Sequence, residues 1–224
     1  MNIRPLIRAA ALTLFVTGSF NSQAQSSVDN DIPLSRYEME RYPYQPGAYS
    51  SKWPVIKEEN IAWKKRVWRT ITLNEAGNEL LALSSLHPSL GDVLINGLYS
   101  NAFGPQGVYT TDRFNQQLDE AGIQRLKAGG LTASQVNSIQ IKEDWIYLKE
   151  EKKMVVRIVA MAPQVMENGT AQPAFWVYYP DARPYLAQQA VAAPGNNPAN
   201  LDEVFEGRFF SSKILKTSDE LKTK

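Results

Sequence analysis

The chain has 224 residues, 43% of them hydrophobic and 21% charged, an ordinary globular composition that fits one domain with length left for an arm. The formal net charge is +1, so no bulk charge recruits nucleic acid or an anionic membrane surface. Cysteine is absent, which excludes disulfide stapling and a lipid on an N-terminal cysteine. Residence at a membrane would then require another protein as the anchor.

Residues 1–25 read as a cleaved secretory signal peptide. Arg4 and Arg8 supply a positive start, Ala9 to Thr17 a short apolar core, and "NSQAQ" a cleavage region near Ala24 or Gln25. The apolar run is shorter than the roughly 20 residues that span a bilayer. Its removal leaves an exported, nearly neutral chain.

Residues 26–56 carry Pro33, Pro43, Pro46 and Pro54 among Tyr37, Tyr42, Tyr44, Tyr49 and Trp53. The prolines interrupt regular hydrogen bonding, and the rings give the segment something to bury. An extended arm is expected, packed either on its own domain or on a neighbour. The main domain is expected over 57–217, with a polar tail over 218–224.

Within that domain, "KEENIAWKKRVWRTITL" predicts a short helix running into a strand, since Val67, Trp68 and Ile71 fit helical spacing while Val67 to Leu73 is β-rich. Ser89 caps an expected helix with Leu90, Val93, Leu94, Gly97 and Leu98 on one face. Another helix is expected from Thr111 or Asp112, with Phe114, Leu118 and Ala121 inward and Gly122 as its stop. Strands are expected over 139–148, 153–163 and 174–180, and a last helix capped by Asn200 with Leu201, Val204 and Phe205 inward. Helices first and β-rich segments later suggest an α+β fold, a mostly antiparallel sheet with helices packed on it.

The two central strands predict a hairpin. A turn centred on Glu150 and Glu151 sets Leu148 opposite Lys153, Tyr147 opposite Met154, Ile146 opposite Val155, Trp145 opposite Val156 and Asp144 opposite Arg157. Ile139, Ile141, Trp145, Tyr147, Met154, Val156, Ile158, Ala160 and Ala162 then share one apolar face, which fixes the register. Asp144 and Arg157 meet on the other face as a cross-strand ion pair. Glu-Glu suits a two-residue turn poorly, so a longer loop with shifted register stays open.

Chemistry is sparse. His87 is the only histidine and sits in "SLHPSL" without a recognisable nucleophile motif or orienting acid. One histidine and no cysteine leave no zinc set. The glycine loops lack a Walker lysine or dinucleotide spacing, and "NGT" at 168 matches a glycosylation sequon. No catalytic residue, cofactor or metal is expected. Trp63, Trp68, Trp145, Trp176, Tyr178 and Tyr179 remain as core, as protein interface, or as stacking platforms for a polysaccharide, the alternative function.

Four segments in order, "ENIAWKKRVWRTITL", "IKEDWIYLKEEKKMVVRIVAMAP", "AFWVYYPDARPYLA" and "LDEVFEGRFFSSKILK", resemble the GldN/PorN family of Bacteroidota, across residues 57–217. The resemblance implies a non-enzymatic periplasmic component of the type IX secretion system, serving motility as well in gliding bacteria. It further implies self-association in a ring with an outer-membrane lipoprotein, GldK or PorK, and contact with the periplasmic part of GldM or PorM. Candidate structural and interface residues on the matching segments are Trp63, Arg66, Trp68, Asp144, Trp145, Arg157, Trp176, Tyr178 and Arg183. Of these, Arg183 is expected to point outward from a proline-rigid loop, "PDARPY".

Overall fold

A computed structural model of the protein describes residues 53, 56–104, 107–196, 198–218 and 221–222. The expected signal peptide, and the arm apart from Trp53 and Ile56, lie outside the described residues. Eight strands form one antiparallel sheet: β1 (Ile61–Thr72), β2 (Val108–Tyr109), β3 (Ser138–Leu148), β4 (Lys153–Glu167), β5 (Thr170–Pro173), β6 (Trp176–Tyr178), β7 (Lys213–Thr217) and β8 (Leu221–Lys222). The order across the sheet is β2-β6-β4-β3-β1-β7, with β5 added to β4 and β8 to β1. Four α-helices are described: α1 (Leu90–Tyr99), α2 (Glu120–Ala128), α3 (Tyr179–Leu186) and α4 (Leu201–Glu206). The fold is α+β as expected, although the expected helices-first order is not found: the strand β1 precedes every α-helix described.

The hairpin β3–β4 has the expected register from Leu148↔Lys153 to Asp144↔Arg157. Its four-residue loop, Lys149 to Lys152, places Lys152 at a φ of 48°. The tip is latched to the turn before β1: Asn60 accepts from the Glu150 amide (2.9 Å) and donates to Glu151 (2.8 Å), and its carbonyl accepts from the Lys149 amide (2.8 Å). One expectation fails beyond Ile158. A bulge between the Glu143↔Ile158 and Lys142↔Ala160 pairs adds Val159, so Ala160 and Ala162 turn to the face opposite Ile139 and Ile141.

Three other expectations are corrected. The short helix expected at the start of "KEENIAWKKRVWRTITL" is a single 3-10 turn, Glu58–Asn60, followed by the twelve-residue β1. Here pairing with β3 along its whole length overrides the helical spacing. The segment from Thr111 doubles back, with Tyr109 bridged to Gln117, and α2 is capped by Asp119, whose side chain accepts from the Gly122 amide at 2.7 Å. Gly122 therefore lies in the first turn of the helix, and a Cβ there would meet Leu118 at 2.6 Å. The third strand ends at Tyr178, where α3 begins with Pro180 and Asp181 in its first turn. α1 keeps its expected cap, with Ser89 and Asp92 forming a reciprocal capping box.

The helices share one face of the sheet. Leu90, Val93, Leu94 and Leu98 of α1, Tyr179, Ala182 and Leu186 of α3, and Leu201, Val204 and Phe205 of α4 pack with Ile71, Ile139, Ile141, Ile158, Met161 and Val177 of the strands. On the opposite face Trp68, Tyr109, Val159, Ala160, Ala162, Trp176 and Tyr178 form a second cluster, against which Phe114 packs. A small third cluster, Ile56, Ile61, Ile146 and Leu148, holds the hairpin end of that same face.

Candidate interaction surface

The charges of β3 are bound inside the fold. Lys142 is fully buried, donates to the Asp112 carbonyl at 2.6 Å, and lies over the rings of Trp68 (5.7 Å) and Phe114 (5.5 Å). Glu143, also fully buried, accepts from Arg208 at 2.6 Å and from the Trp145 indole at 2.8 Å. Asp144 takes the Arg66 guanidinium bidentately, at 2.7 and 2.9 Å. Asp144 and Arg157 face each other in register as expected, and Arg66 on β1 holds both Asp144 carboxylate oxygens. Arg157 lies over the Trp53 ring at 4.7 Å. Burial lowers its pKa to about 10, against the pull of Glu206. Burial likewise lowers the Lys64 ammonium despite Glu58 and Asp144 nearby.

Arg183 does not face solvent. It sits inside α3, 4% exposed, and donates to both oxygens of Asp202 at 2.7 and 3.0 Å. Burial opposes its charge, but the hydrogen bonds to Asp202 and the neighbouring Tyr179, Asp202 and Glu206 raise its pKa overall. Tyr179, which donates to Glu206 at 3.0 Å, is raised well above the ordinary phenol value by burial and then by Glu206 and Asp202. Trp53 completes this cluster, donating to Glu206 at 2.8 Å and stacking on Tyr179. The proline that suggested a rigid outward loop serves to start a helix, and the arginine ties α3 to α4.

The remaining candidates divide by exposure. Trp68, Trp176 and Tyr178 are at most 5% exposed and belong to the second core cluster. Trp63 and Trp145 lie on the helix-bearing face, past the row where Arg208 closes over Glu143. There, among the described residues, no helix covers the sheet. Trp63 stacks on Tyr147 with centroids 5.9 Å apart and planes 5° apart. By register, Trp145 and Val156 pair beside Tyr147 and Met154. These rings are half-buried, and Met154 is 40% exposed. The result is a preformed surface of Trp63, Trp145, Tyr147, Met154 and Val156 on three hydrogen-bonded strands.

The sequence search for chemistry missed this surface's other members, Tyr147 and Met154, although their alternation with Trp145 and Val156 carried the signal. His87 is buried, with Nδ1 3.1 Å from the Pro88 carbonyl, and the Ser84 hydroxyl accepts from the His87 backbone amide rather than engaging its ring. Among the described residues no group of three or more His, Asp or Glu side chains gathers to hold a metal ion. Nor is any described helix long and apolar enough to cross a membrane.

Comparison with known proteins gives one family. Residues 56–224 match the model of the family described as "Gliding motility associated protein GldN". No curated protein matches the chain.

Proposed function

The chain belongs to the GldN family of gliding-motility-associated proteins, components of type IX protein secretion, and from that premise we propose that it is a structural, non-enzymatic part of the machinery. Exported to the periplasm, it assembles with a GldK/PorK-like outer-membrane lipoprotein into a ring and contacts the periplasmic domain of a GldM/PorM-like motor protein. Copies that follow one another around a ring need a heterologous contact, with different patches on the two sides of each copy.

One observation carries the reading: the half-exposed row of Trp63, Tyr147 and Trp145 beyond the helical layer. Tryptophan, tyrosine and methionine on a rigid support are what the centre of a protein interface requires. The charges that might have served catalysis are engaged in the ion pairs of the core. The polysaccharide alternative loses Trp68, Trp176 and Tyr178, which are buried and offer no open ring face.

The test is co-purification from envelopes at native expression, comparing the parent chain with a Trp63→Ala/Trp145→Ala double variant. The parent is expected to be recovered with the lipoprotein in a large assembly. The variant, folded and exported normally, is expected to be recovered alone; equal recovery of both would remove the aromatic row from the contact.

A further inference from the structure

On the face opposite the helices, past the Trp68 cluster, the sheet forms an open cleft of about 480 Å3. Its floor crosses three strands in two registered rows. One row runs Thr72–Ser138–Gln164 and the next Thr70–Gln140–Ala162. Thr170 and Gln172 of β5 stand on one rim, Leu215 and Lys216 of β7 on the other. That volume lies within the roughly 300–1,000 Å3 of small-ligand sites, and eight of the twelve lining residues carry a hydroxyl or a carboxamide, with Ala171, Pro173 and Leu215 adding apolar surface between them.

The floor is built. Gln164, 6% exposed, accepts from both Thr70 and Ser138 at 3.0 Å through Oε1, which leaves its amide nitrogen to the cleft. Gln140 is 9% exposed, lines the same cleft, and its carboxamide meets no hydrogen-bond partner among the described residues. That carboxamide is left to bond solvent or an arriving ligand.

The lining decides the class of that something. No carboxylate faces the cleft, so nothing calls for a cation. Its one cation, Lys216, sits over the Trp68 ring at 4.3 Å, so nothing calls for an anion. No aromatic or arginine lines it, so it lacks the anchors of a protein interface. Neutral donors and acceptors spread over a shallow concave sheet match neutral hydroxyl-bearing rings. We propose that this cleft binds a neutral glycan chain, with the Gln140 and Gln164 carboxamides bonding ring substituents and the Thr70, Thr72 and Thr170 hydroxyls completing the contacts. The site lies on the face opposite the aromatic row and does not rest on the assembly role.

Titration of the full chain with two probes, the tetramer of β-1,4-linked N-acetylglucosamine and the tetramer of β-1,4-linked glucose, tests it by calorimetry and amide chemical shifts. Saturable binding of at least one is expected, with shifts at residues 138–140, 164 and 170–172; preference for the acetylated tetramer indicates a cell-wall glycan, the reverse a neutral polysaccharide. Gln140→Leu is expected to weaken binding about tenfold, the loss of one or two neutral hydrogen bonds. Thr170→Val, on the exposed rim, serves should Gln140→Leu fail to fold. Trp63→Ala/Trp145→Ala is expected to bind like the parent, which separates this site from the assembly surface. Absence of saturable binding, binding unchanged by the folded cleft variants, or binding that appears only after residues 26–52 are removed would overturn the proposal.

Discussion

Two sets of aromatic residues share this sheet and meet different ends. At the corner where the loop after β2 folds over the sheet, Trp68 of β1 and Trp176 and Tyr178 of β6 are sealed beneath Phe114 and that loop. At the hairpin end, Trp63, Trp145 and Tyr147 stand on strands that outrun the helical layer and stay half open. Residue type does not separate the sets, and neither does alternation along the strands. What separates them is the neighbouring cover: a buried ring contributes to folding, and a half-open ring held by its neighbours costs little to bring to a partner.

Truncation at the corner should give the largest loss of stability. Trp68→Ala removes a buried indole that donates to Asp112 at 2.7 Å and roofs Lys142, and is expected to cost about 3–5 kcal/mol. Thermal or denaturant unfolding measures it. Arg183→Ala tests the α3–α4 tie and is expected to cost about 3–5 kcal/mol by stranding the buried Asp202 carboxylate. An effect below about 1 kcal/mol would place Arg183 outside the core and restore it as a contact residue.

At the other end, Trp145→Ala is expected to cost about 1 kcal/mol of stability while sharply reducing co-purification with the assembly. A loss of stability comparable to Trp68→Ala would erase the distinction between the two sets. The smallest effect belongs to the tip latch. Asn60 holds the Glu151 carboxylate below its ordinary value of 4.5. A depressed carboxylate stabilises above the unfolded value, and that stability is lost as pH falls through the lowered folded value. Asn60→Ala is therefore expected to differ most from the parent above pH 4.5 and to converge with it in acid, read from unfolding midpoints across that range.

Much of the hairpin was legible in the sequence because alternation and a cross-strand charge row both fixed one register. The bulge at Val159 was not, since Ile158 to Ala162 stays apolar on either face. β1 looked helical at its start because Val67, Trp68 and Ile71 fit helical spacing; Asp144 on β3, far along the chain, is what pairs Arg66 within a strand. Asn168-Gly169, read as a sequon, is the turn between β4 and β5, with φ of 51° and 78°. Similarly, Pro180 and Asp181 are ordinary first-turn residues, a signal that would have placed Arg183 within a helix. The polar cleft left no trace in any one segment, because β1, β3, β4, β5 and β7 each contribute to it.

The central claim is that the hairpin end of the sheet faces other proteins while the corner does not. Photo-crosslinking in living cells, with a photoreactive residue placed at Trp63, Trp145, Tyr147 or Tyr178 in turn, tests it most directly. The account predicts adducts to a second protein from the first three positions and none from Tyr178. Absence of adducts at all three hairpin positions in a chain that still supports secretion would contradict it.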